Sequence, residues 1–378
     1  MVWGRLGLAA SLLLALIAVT PARAAAPPQP PPGFFGVGPQ TAIGPWDLAR
    51  MEAGGVGTLR LEFPWAVVDP EAPAGGFDWG RFDPVVGEAA RRGIRILPVL
   101  YQTPEWVAAL DGHPGCADHC RDFLPTGDLA VLAWEEFAAA AAERYGRGGS
   151  FWDANPGIEP RPIRTWQVWN EQNSGYLTQP QPSVRPYARL VRSTSRVIRR
   201  VDPGARLILG GMIKAIRDPE LGGLPEAEFL ARLYRQGRVE RHFEGIGIHP
   251  YSHNFPAIAH QVRALRSIAR AAGDSGVEAW ITEIGWASGG IPHPLNMGEA
   301  GQAAFLTRAF RLFIRNRARW NVKLVSWFSW RDRIGPPICE WCPWSGLFHP
   351  AGSRLFDSPS DLRAKPAWQA YVSFSGGT

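Results

Sequence analysis

The sequence lacks several features that would assign a function directly. It contains no lysine-rich run or basic helix, so a nucleic-acid partner is not expected. No His-Glu-x-x-His pattern indicates a metal site. No glycine-rich phosphate loop follows the first predicted strand, and Gly210-Gly211 leads to Lys214-Ala215 without the hydroxyl residue that such a loop needs. No internal repeat or added module is visible, which argues against a scaffold protein. We therefore expect no cofactor and no metal.

The composition fits one large globular domain. The chain has 378 residues, of which 46% are hydrophobic and 20% charged, so it can bury a substantial core. The formal charge is +6, almost wholly from arginine; without Arg5 and Arg23 it becomes 38 basic against 34 acidic residues, or +4. The 17 tryptophans are more informative. Indole faces bind sugar rings well, although many will simply lie in the core.

The N-terminus is typical of an export signal. Arg5 precedes an apolar stretch from Leu6 to Val19, Pro21 interrupts it, and Ala22-Arg23-Ala24 places small residues where a signal peptidase cleaves. We place cleavage after Ala24. The apolar stretch is too short for a comfortable membrane span, and residues 25–32 form a proline-rich tether. The protein is expected to be secreted, or attached to the cell surface if the leader stays uncleaved.

The sequence contains only four cysteines, in two closely spaced pairs. Cys116 and Cys120 lie in one loop, and Cys339 and Cys342 lie in another. An oxidising compartment favours two local disulfides. A four-thiolate zinc site and disulfides between the loops are the alternatives. Both require contact between loops that follow the third and eighth predicted strands, which are not neighbours.

A regular series of apolar runs predicts eight strands. Each run is rich in β-branched or aliphatic residues and ends in a polar or aromatic residue. Helix-like stretches with apolar residues at helical spacing alternate with them. Eight strand-helix units predict an α/β fold, a (β/α)8 barrel. The predicted strands are Phe34–Gly38, Gly57–Phe63, Ile94–Tyr101, Thr165–Trp169, Arg206–Gly210, Gly245–His249, Glu278–Glu283 and Val322–Trp330.

The predicted helices fill the intervals between these strands and close the ring after the last one. No long linker or second hydrophobic cluster interrupts the pattern, so residues 33–378 are predicted to form a single domain. Three long loops, at 103–129, 146–162 and 331–359, are expected to shape the cleft. The predicted helices are Pro84–Arg92, Leu129–Tyr145, Pro186–Val201, Glu226–Gln236, Ala257–Ala272, Gly301–Arg319 and Pro366–Phe374.

Two glutamates stand where predicted strands end. Glu171 closes Val168-Trp169-Asn170-Glu171 after the fourth strand, and Glu283 lies within Trp280–Trp286 at the end of the seventh. Barrel active sites occupy the mouth formed by the carboxyl ends of the strands, where these positions face each other. Glycosidic bonds are cleaved by two carboxyl groups of this kind. A separation of about 5 to 5.5 Å predicts retention of anomeric configuration, and about 6.5 to 9.5 Å predicts inversion.

These motifs resemble the clan A retaining glycoside hydrolases, which carry an Asn-Glu pair after strand four and a lone glutamate ending strand seven. The likeness spans nearly the whole mature chain and is nearest to family 39, with family 5 and family 42 as relatives. Gln172 stands where those families often show proline. The agreeing segments are Trp169-Asn170-Glu171, Thr282-Glu283, Leu59-Arg60-Leu61 with Trp65, Gly75-Gly76-Phe77-Asp78-Trp79, Thr103-Pro104-Glu105-Trp106, His249-Pro250-Tyr251 and Ser326-Trp327-Phe328-Ser329-Trp330.

The resemblance implies a role for each matching residue. Glu283 would be the nucleophile, kept ionised by Arg60 and Tyr251. Glu171 would be the acid and then the base. Asn170 would bind the sugar 2-hydroxyl, and His249 would border the same subsite. Trp330 would form its floor, and the further platform candidates are Trp65, Trp106 and Trp286.

Other interpretations stay open at this point. Asn170-Glu171 alone could be a turn or a helix start, Arg60 could pair only with Glu62 or another barrel carboxylate, and His249 could be a structural histidine. A polysaccharide-binding barrel would keep the aromatic residues but would normally lose one carboxylate. A transglycosylase would use the same covalent intermediate. We therefore predict a secreted glycosidase acting on a β-linked oligosaccharide or polysaccharide, whose sugar the sequence does not identify.

Overall fold

The computed structural model describes Met1 and residues 29–71, 76–214, 222–335, 339–350 and 363–377. Nearly all of the predicted leader, the first half of the tether and Gly75 lie outside these residues, so their predictions stay predictions. Among the described helices, none has both the length and the apolar character needed to cross a membrane.

The strands form a closed parallel barrel, which confirms the predicted (β/α)8 fold. The neighbours run in the order β5, β4, β3, β2, β1, β9, β8, β7 and β6, and a further pairing of β5 with β7 closes the ring. Because β6 continues the course of β5, the two occupy one position of an eight-position barrel. The strands are β1 Phe35–Gly38, β2 Thr58–Pro64, β3 Arg95–Tyr101, β4 Thr165–Val168, β5 Arg206–Leu209, β6 Met212–Ile213, β7 Gly245–His249, β8 Glu278–Ile284 and β9 Val322–Phe328.

A pair of glycines interrupts the fifth barrel position. Gly210 and Gly211 separate β5 from β6, and a Cβ atom built on Gly211 would lie only 1.9 Å from Nε2 of His249. The backbone therefore passes directly against the imidazole edge, which only glycine permits. This close approach ends the strand earlier than its apolar residues predict.

The helices surround the barrel, and the seven predicted ones are present with ends shifted by at most three residues. The sequence analysis missed the nine-residue helix Pro45–Ala53. It also missed three helices of 4, 6 and 5 residues, because runs this short carry little periodicity. The helices are α1 Pro45–Ala53, α2 Trp65–Val68, α3 Asp83–Arg91, α4 Glu105–Leu110, α5 Asp128–Tyr145, α6 Ser150–Ala154, α7 Val184–Val201, α8 Glu226–Tyr234, α9 Phe255–Ala271, α10 Gly298–Trp320 and α11 Pro366–Ser375.

One of these helices corrects the sequence analysis. Helix α7 carries an arginine on almost every turn, so the statement that no basic helix is present is wrong. Its arginines are largely engaged with neighbouring elements: Arg189 pairs with Asp128, and Arg196 pairs with Glu135 of α5. These ion pairs join α7 to α5, so the basic face of α7 is partly neutralised by acidic residues.

The four cysteines form two local disulfides, as predicted. Cys116 is joined to Cys120 in the loop after β3, and Cys339 is joined to Cys342 in the loop after β9. The zinc and long-range disulfide alternatives are therefore wrong. Each bridge constrains a loop at the mouth of the barrel, where the candidate site lies.

Candidate functional site

The chain turns sharply at the end of β4 and directs Glu171 into the mouth. Trp169 and Glu171 both adopt left-handed backbone conformations, with φ of 67° and 47°. Such conformations are unfavourable for residues with a Cβ atom and persist only where the surroundings fix them. The buried Trp169 ring provides one anchor, because its Nε1 donates to the Leu177 carbonyl at 3.0 Å and to Oγ1 of Thr178 at 3.1 Å.

The residues that follow Glu171 hold the same turn in place. Gln172 is fully buried, and its Nε2 donates to the Gly210 carbonyl at 3.1 Å. Asn173 donates through Nδ2 to the carbonyls of Ile213 at 2.8 Å and Leu224 at 2.9 Å. The Gln172 side chain therefore links the Glu171 turn to the next barrel position through a hydrogen bond. Proline at this position has no side-chain donor and could not make it.

Glu283 lies on the opposite side of the mouth in a shell of hydrogen-bond donors. Nη1 of Arg60 is 2.6 Å from its Oε1, and the Tyr251 hydroxyl donates to its Oε2 at 2.6 Å. Arg60 also donates through Nη2 to Oδ1 of Asn170 at 2.7 Å and through Nε to Oε1 of Gln167 at 2.9 Å. Arg60 thus connects both predicted motifs, and it makes no ion pair with Glu62.

The surroundings shift the pKa values of the two glutamates in opposite directions. Burial on its own would raise the pKa of Glu283, but His249, Arg60 and Tyr251 together outweigh burial and lower it. Burial is also the largest influence on Glu171, and with the negative charge of Glu283 it raises the pKa of Glu171, although His249 at hydrogen-bond distance lowers it. Glu283 is therefore suited to remain ionised while Glu171 holds a proton.

His249 lies between the two carboxylates. It is fully buried at the end of β7, with Nδ1 2.8 Å from Oε1 of Glu171 and 3.5 Å from Oε2 of Glu283. These three residues offer ligand atoms close enough together to hold a cation. Arg60 already supplies a positive charge to Glu283 at 2.6 Å. Glu171, His249 and Glu283 can therefore also take part in proton transfer without a bound ion.

The carboxylate oxygens of Glu171 and Glu283 that face this centre lie within 4.8 Å of each other. This upper limit is compatible with the separation of about 5 to 5.5 Å between carboxyl groups that allows direct attack on the anomeric carbon. It is shorter than the separation of about 6.5 to 9.5 Å that admits a water molecule between sugar and base. The geometry therefore favours double displacement.

Three predicted platform tryptophans lie in the core, and their assignment as sugar platforms is wrong. Trp65, Trp286 and Trp330 have no exposed surface, so none offers a face to a ligand. Trp65 stacks on Phe137, and Nε1 of Trp330 donates to Oδ1 of Asp47 at 2.8 Å. Their apolar neighbours explain the burial. Trp106 is half-buried at the start of α4, so its platform assignment stays a prediction.

Other aromatic residues line the mouth near Glu283. The Trp341 ring lies edge-on to Tyr251 with ring centres 4.9 Å apart, and Phe328 at the end of β9 is 6.1 Å from Trp341. Trp341 stands between the two cysteines of the second disulfide. Strand register would have indicated Phe328, whereas Trp341 gave no sequence signal because its position depends on how the loop folds back.

The sequence analysis also missed partners on the other side of the mouth. Tyr101 ends β3, and its hydroxyl lies 3.4 Å from Oδ1 of Asp122, two residues after the first disulfide. Gln167 accepts the Nε–H of Arg60 from within β4. A polar residue at an inward position of a barrel strand was the available signal for Gln167.

The barrel is similar in fold to solved glycoside hydrolases. A family 39 glycoside hydrolase from Bacteroides cellulosilyticus superposes with a TM-score of 0.63 at 20% identity, covering 91% of this chain and 63% of that one. A family 39 β-xylosidase from Caulobacter crescentus gives 0.61 at 20% identity, covering 92% and 72%. A xylanase from Thermoanaerobacterium saccharolyticum gives 0.61 at 18% identity, covering 91% and 95%.

No protein-family model matches the chain, and no curated protein matches it in sequence. The chain spans less than two thirds of the Bacteroides enzyme, so that protein has further parts outside the shared barrel. At these identities the comparisons show a shared architecture, and the function has to be argued from the site. The shared feature is the parallel barrel itself, on which this chain places two glutamates across one mouth.

Proposed function

We propose that the protein is a retaining glycoside hydrolase of the family 39 type in which Glu283 is the nucleophile and Glu171 the acid and base. One observation carries the proposal: carboxylate oxygens of the half-buried Glu171 and the buried Glu283 lie within 4.8 Å of each other, and the pKa values of the two residues are shifted in opposite directions. Double displacement needs one ionised carboxylate as nucleophile and one protonated carboxyl group as acid, so the two groups must differ in pKa.

In the first step, ionised Glu283 attacks the anomeric carbon as the glycosidic C–O bond breaks. Glu171 transfers its proton to the departing oxygen, so the leaving group exits as a neutral alcohol. Arg60 and Tyr251 hold Glu283 in one orientation through its two oxygens. Asn170, fixed by Arg60, is placed to donate to the sugar 2-hydroxyl through its amide nitrogen.

In the second step, Glu171 accepts a proton from water as the oxygen attacks the anomeric carbon and displaces Glu283. The pKa of Glu171 falls at this stage because the ester no longer carries the negative charge that raised it. Attack by a sugar hydroxyl in place of water would give transglycosylation through the same intermediate. The structural neighbours described as a β-xylosidase and a xylanase support β-linked oligosaccharide or polysaccharide as the substrate class.

A substrate panel tests the proposal. Purified protein is incubated with aryl β-glycosides and β-linked polysaccharides while NMR follows the anomer released first. We expect retained configuration, and we expect a 2-deoxy-2-fluoro glycoside to form a covalent adduct that peptide mass spectrometry locates on Glu283.

The control variants separate catalysis from binding. Glu283→Ala is expected to lose turnover while keeping sugar affinity, and Glu143→Gln, on the exposed face of α5, is expected to behave as wild type. A product of inverted configuration would contradict the double displacement. Sugar binding by the wild type without turnover of any substrate would instead indicate a non-catalytic polysaccharide-binding barrel.

A further inference from the structure

Glu62 is a third carboxylate at the mouth that the two steps above do not use. It lies on β2 two residues after Arg60, and side chains two apart on a strand point to the same face of the sheet. Arg60 points into the barrel, where it contacts Glu283 at 2.6 Å. Glu62 therefore points into the mouth, nearer to solvent, and its side chain is exposed.

Glu62 has no hydrogen bond or ion pair within the described ranges of the chain. Arg60 is the neighbouring cation, but its Nε, Nη1 and Nη2 donate to Gln167, Glu283 and Asn170. An ionised carboxylate can accept about four hydrogen bonds. When a ligand displaces water from the mouth, these oxygens need donors from the ligand, because an unpaired charge shielded from water is costly.

Glu62 interacts electrostatically with both glutamates of the catalytic pair. Although the Glu62 side chain is accessible to solvent, the protein walls around the mouth displace part of the water near its carboxylate, and this desolvation raises its pKa; Arg60 opposes the shift, while Glu283 and Glu171 add to it. Glu62 and Asp122 also contribute to the raised pKa of Tyr101, whose largest cause is burial. The side of the mouth formed by β2 and β3 is therefore acidic, and it faces the aromatic side formed by Tyr251 and Trp341.

We propose that Glu62 determines substrate specificity by accepting hydrogen bonds from hydroxyl groups of a neutral sugar unit beside the cleaved bond. This inference rests on the proposed glycosidase function. A sugar that carries a carboxylate is disfavoured here for two reasons. Its charge is repelled by Glu62, and the three nitrogens of Arg60 already donate to protein groups.

The test compares Glu62→Gln and Glu62→Ala with wild type and with Glu143→Gln. The substrates are the neutral aryl β-glycoside that the wild type cleaves fastest and its counterpart with a carboxylate at C5. Loss of a hydrogen bond to a charged group should lower kcat/KM for the neutral substrate by about tenfold to hundredfold in Glu62→Ala. The preference for the neutral substrate over the acidic one should shrink in both variants.

A pH profile separates this role from a merely structural one. Removing the charge of Glu62 lowers the pKa of Glu171, so the basic limb of the rate profile of Glu62→Gln should move to lower pH. The melting temperature of Glu62→Gln should match that of wild type, since no hydrogen bond of Glu62 is found within the described residues. If Glu62→Gln unfolds at a much lower temperature, Glu62 has a structural role and the inference is overturned.

The outcomes distinguish this inference from the function on which it rests. If Glu62→Gln keeps the kcat/KM, substrate preference and pH profile of wild type, the assignment of Glu62 is overturned while the glycosidase proposal stands. If the wild type cleaves no glycoside in the panel, both are overturned. A preference of wild type for the acidic substrate would also overturn the assignment, without affecting the catalytic pair.

Discussion

Replacing Arg60 with methionine removes the cation that stabilises Glu283 while keeping an unbranched side chain of similar length. The pair is nearly inaccessible, with side-chain exposures of 3% for Arg60 and 9% for Glu283. Breaking a buried ion pair from one side costs about 3 to 5 kcal/mol because the remaining charge stays buried. Glu283 keeps the Tyr251 hydroxyl at 2.6 Å, so we expect the lower end, about 3 kcal/mol near pH 7.

The loss of stability in Arg60→Met should depend on pH, in a direction that follows from the lowered pKa of Glu283. In the wild type the folded pKa of Glu283 is lowered, so its ionised form stabilises the fold at neutral pH, and this contribution is lost as pH falls through the folded pKa. In Arg60→Met, fewer groups offset the effect of burial on Glu283, so the pKa of Glu283 in the folded protein rises. Glu283 then protonates readily in acid, so the variant should be closest to wild type in stability around pH 4.

Urea denaturation at about pH 4 and pH 7 measures both effects. The double variant Arg60→Met, Glu283→Gln should recover much of the loss at neutral pH, because it removes the charge left unpaired. An equal deficit at both pH values would refute the reasoning. So would a double variant less stable than Arg60→Met alone, because the loss would then come from packing or from the bonds to Gln167 and Asn170.

Three further predictions concern activity. Tyr251→Phe removes a donor to Glu283, so kcat should fall about tenfold or more, and the acidic limb of the rate profile should move to higher pH as the pKa of Glu283 rises. Trp341→Ala should raise KM by removing an aromatic wall, whereas Trp330→Phe should lower the melting temperature and leave KM unchanged; the opposite pattern would restore the original assignment. Glu171→Ala should keep more activity on aryl glycosides with good leaving groups than on poor ones, and azide should accelerate it and yield a glycosyl azide of retained configuration.

Sequence periodicity was sufficient for the barrel because a parallel strand is buried on both faces and reads as a continuous apolar run. For this reason both ends of strands such as Gly245–His249 could be predicted correctly. The end of the fifth strand could not, since the close approach of Gly211 to His249 is a contact between barrel positions. Short helices such as Ser150–Ala154 were missed because they form through tertiary packing more than through their own periodicity.

The amino-acid sequence by itself determined where the two glutamates stand, because a residue at the end of a parallel strand must reach the mouth of the barrel. It also favoured two local disulfides over a zinc site or disulfides between the loops, and the structure confirmed the local pairing. Only the tertiary structure decided which aromatic residues meet the mouth. Trp330 has no exposed surface, whereas Trp341 is 9% exposed and packs edge-on against Tyr251 beside Glu283. This difference depends on packing partners that are distant in the chain. The opposite pKa shifts likewise depend on folding: burial and the charge of Glu283 raise the pKa of Glu171. At Glu283, His249, Arg60 and Tyr251 outweigh burial and lower the pKa.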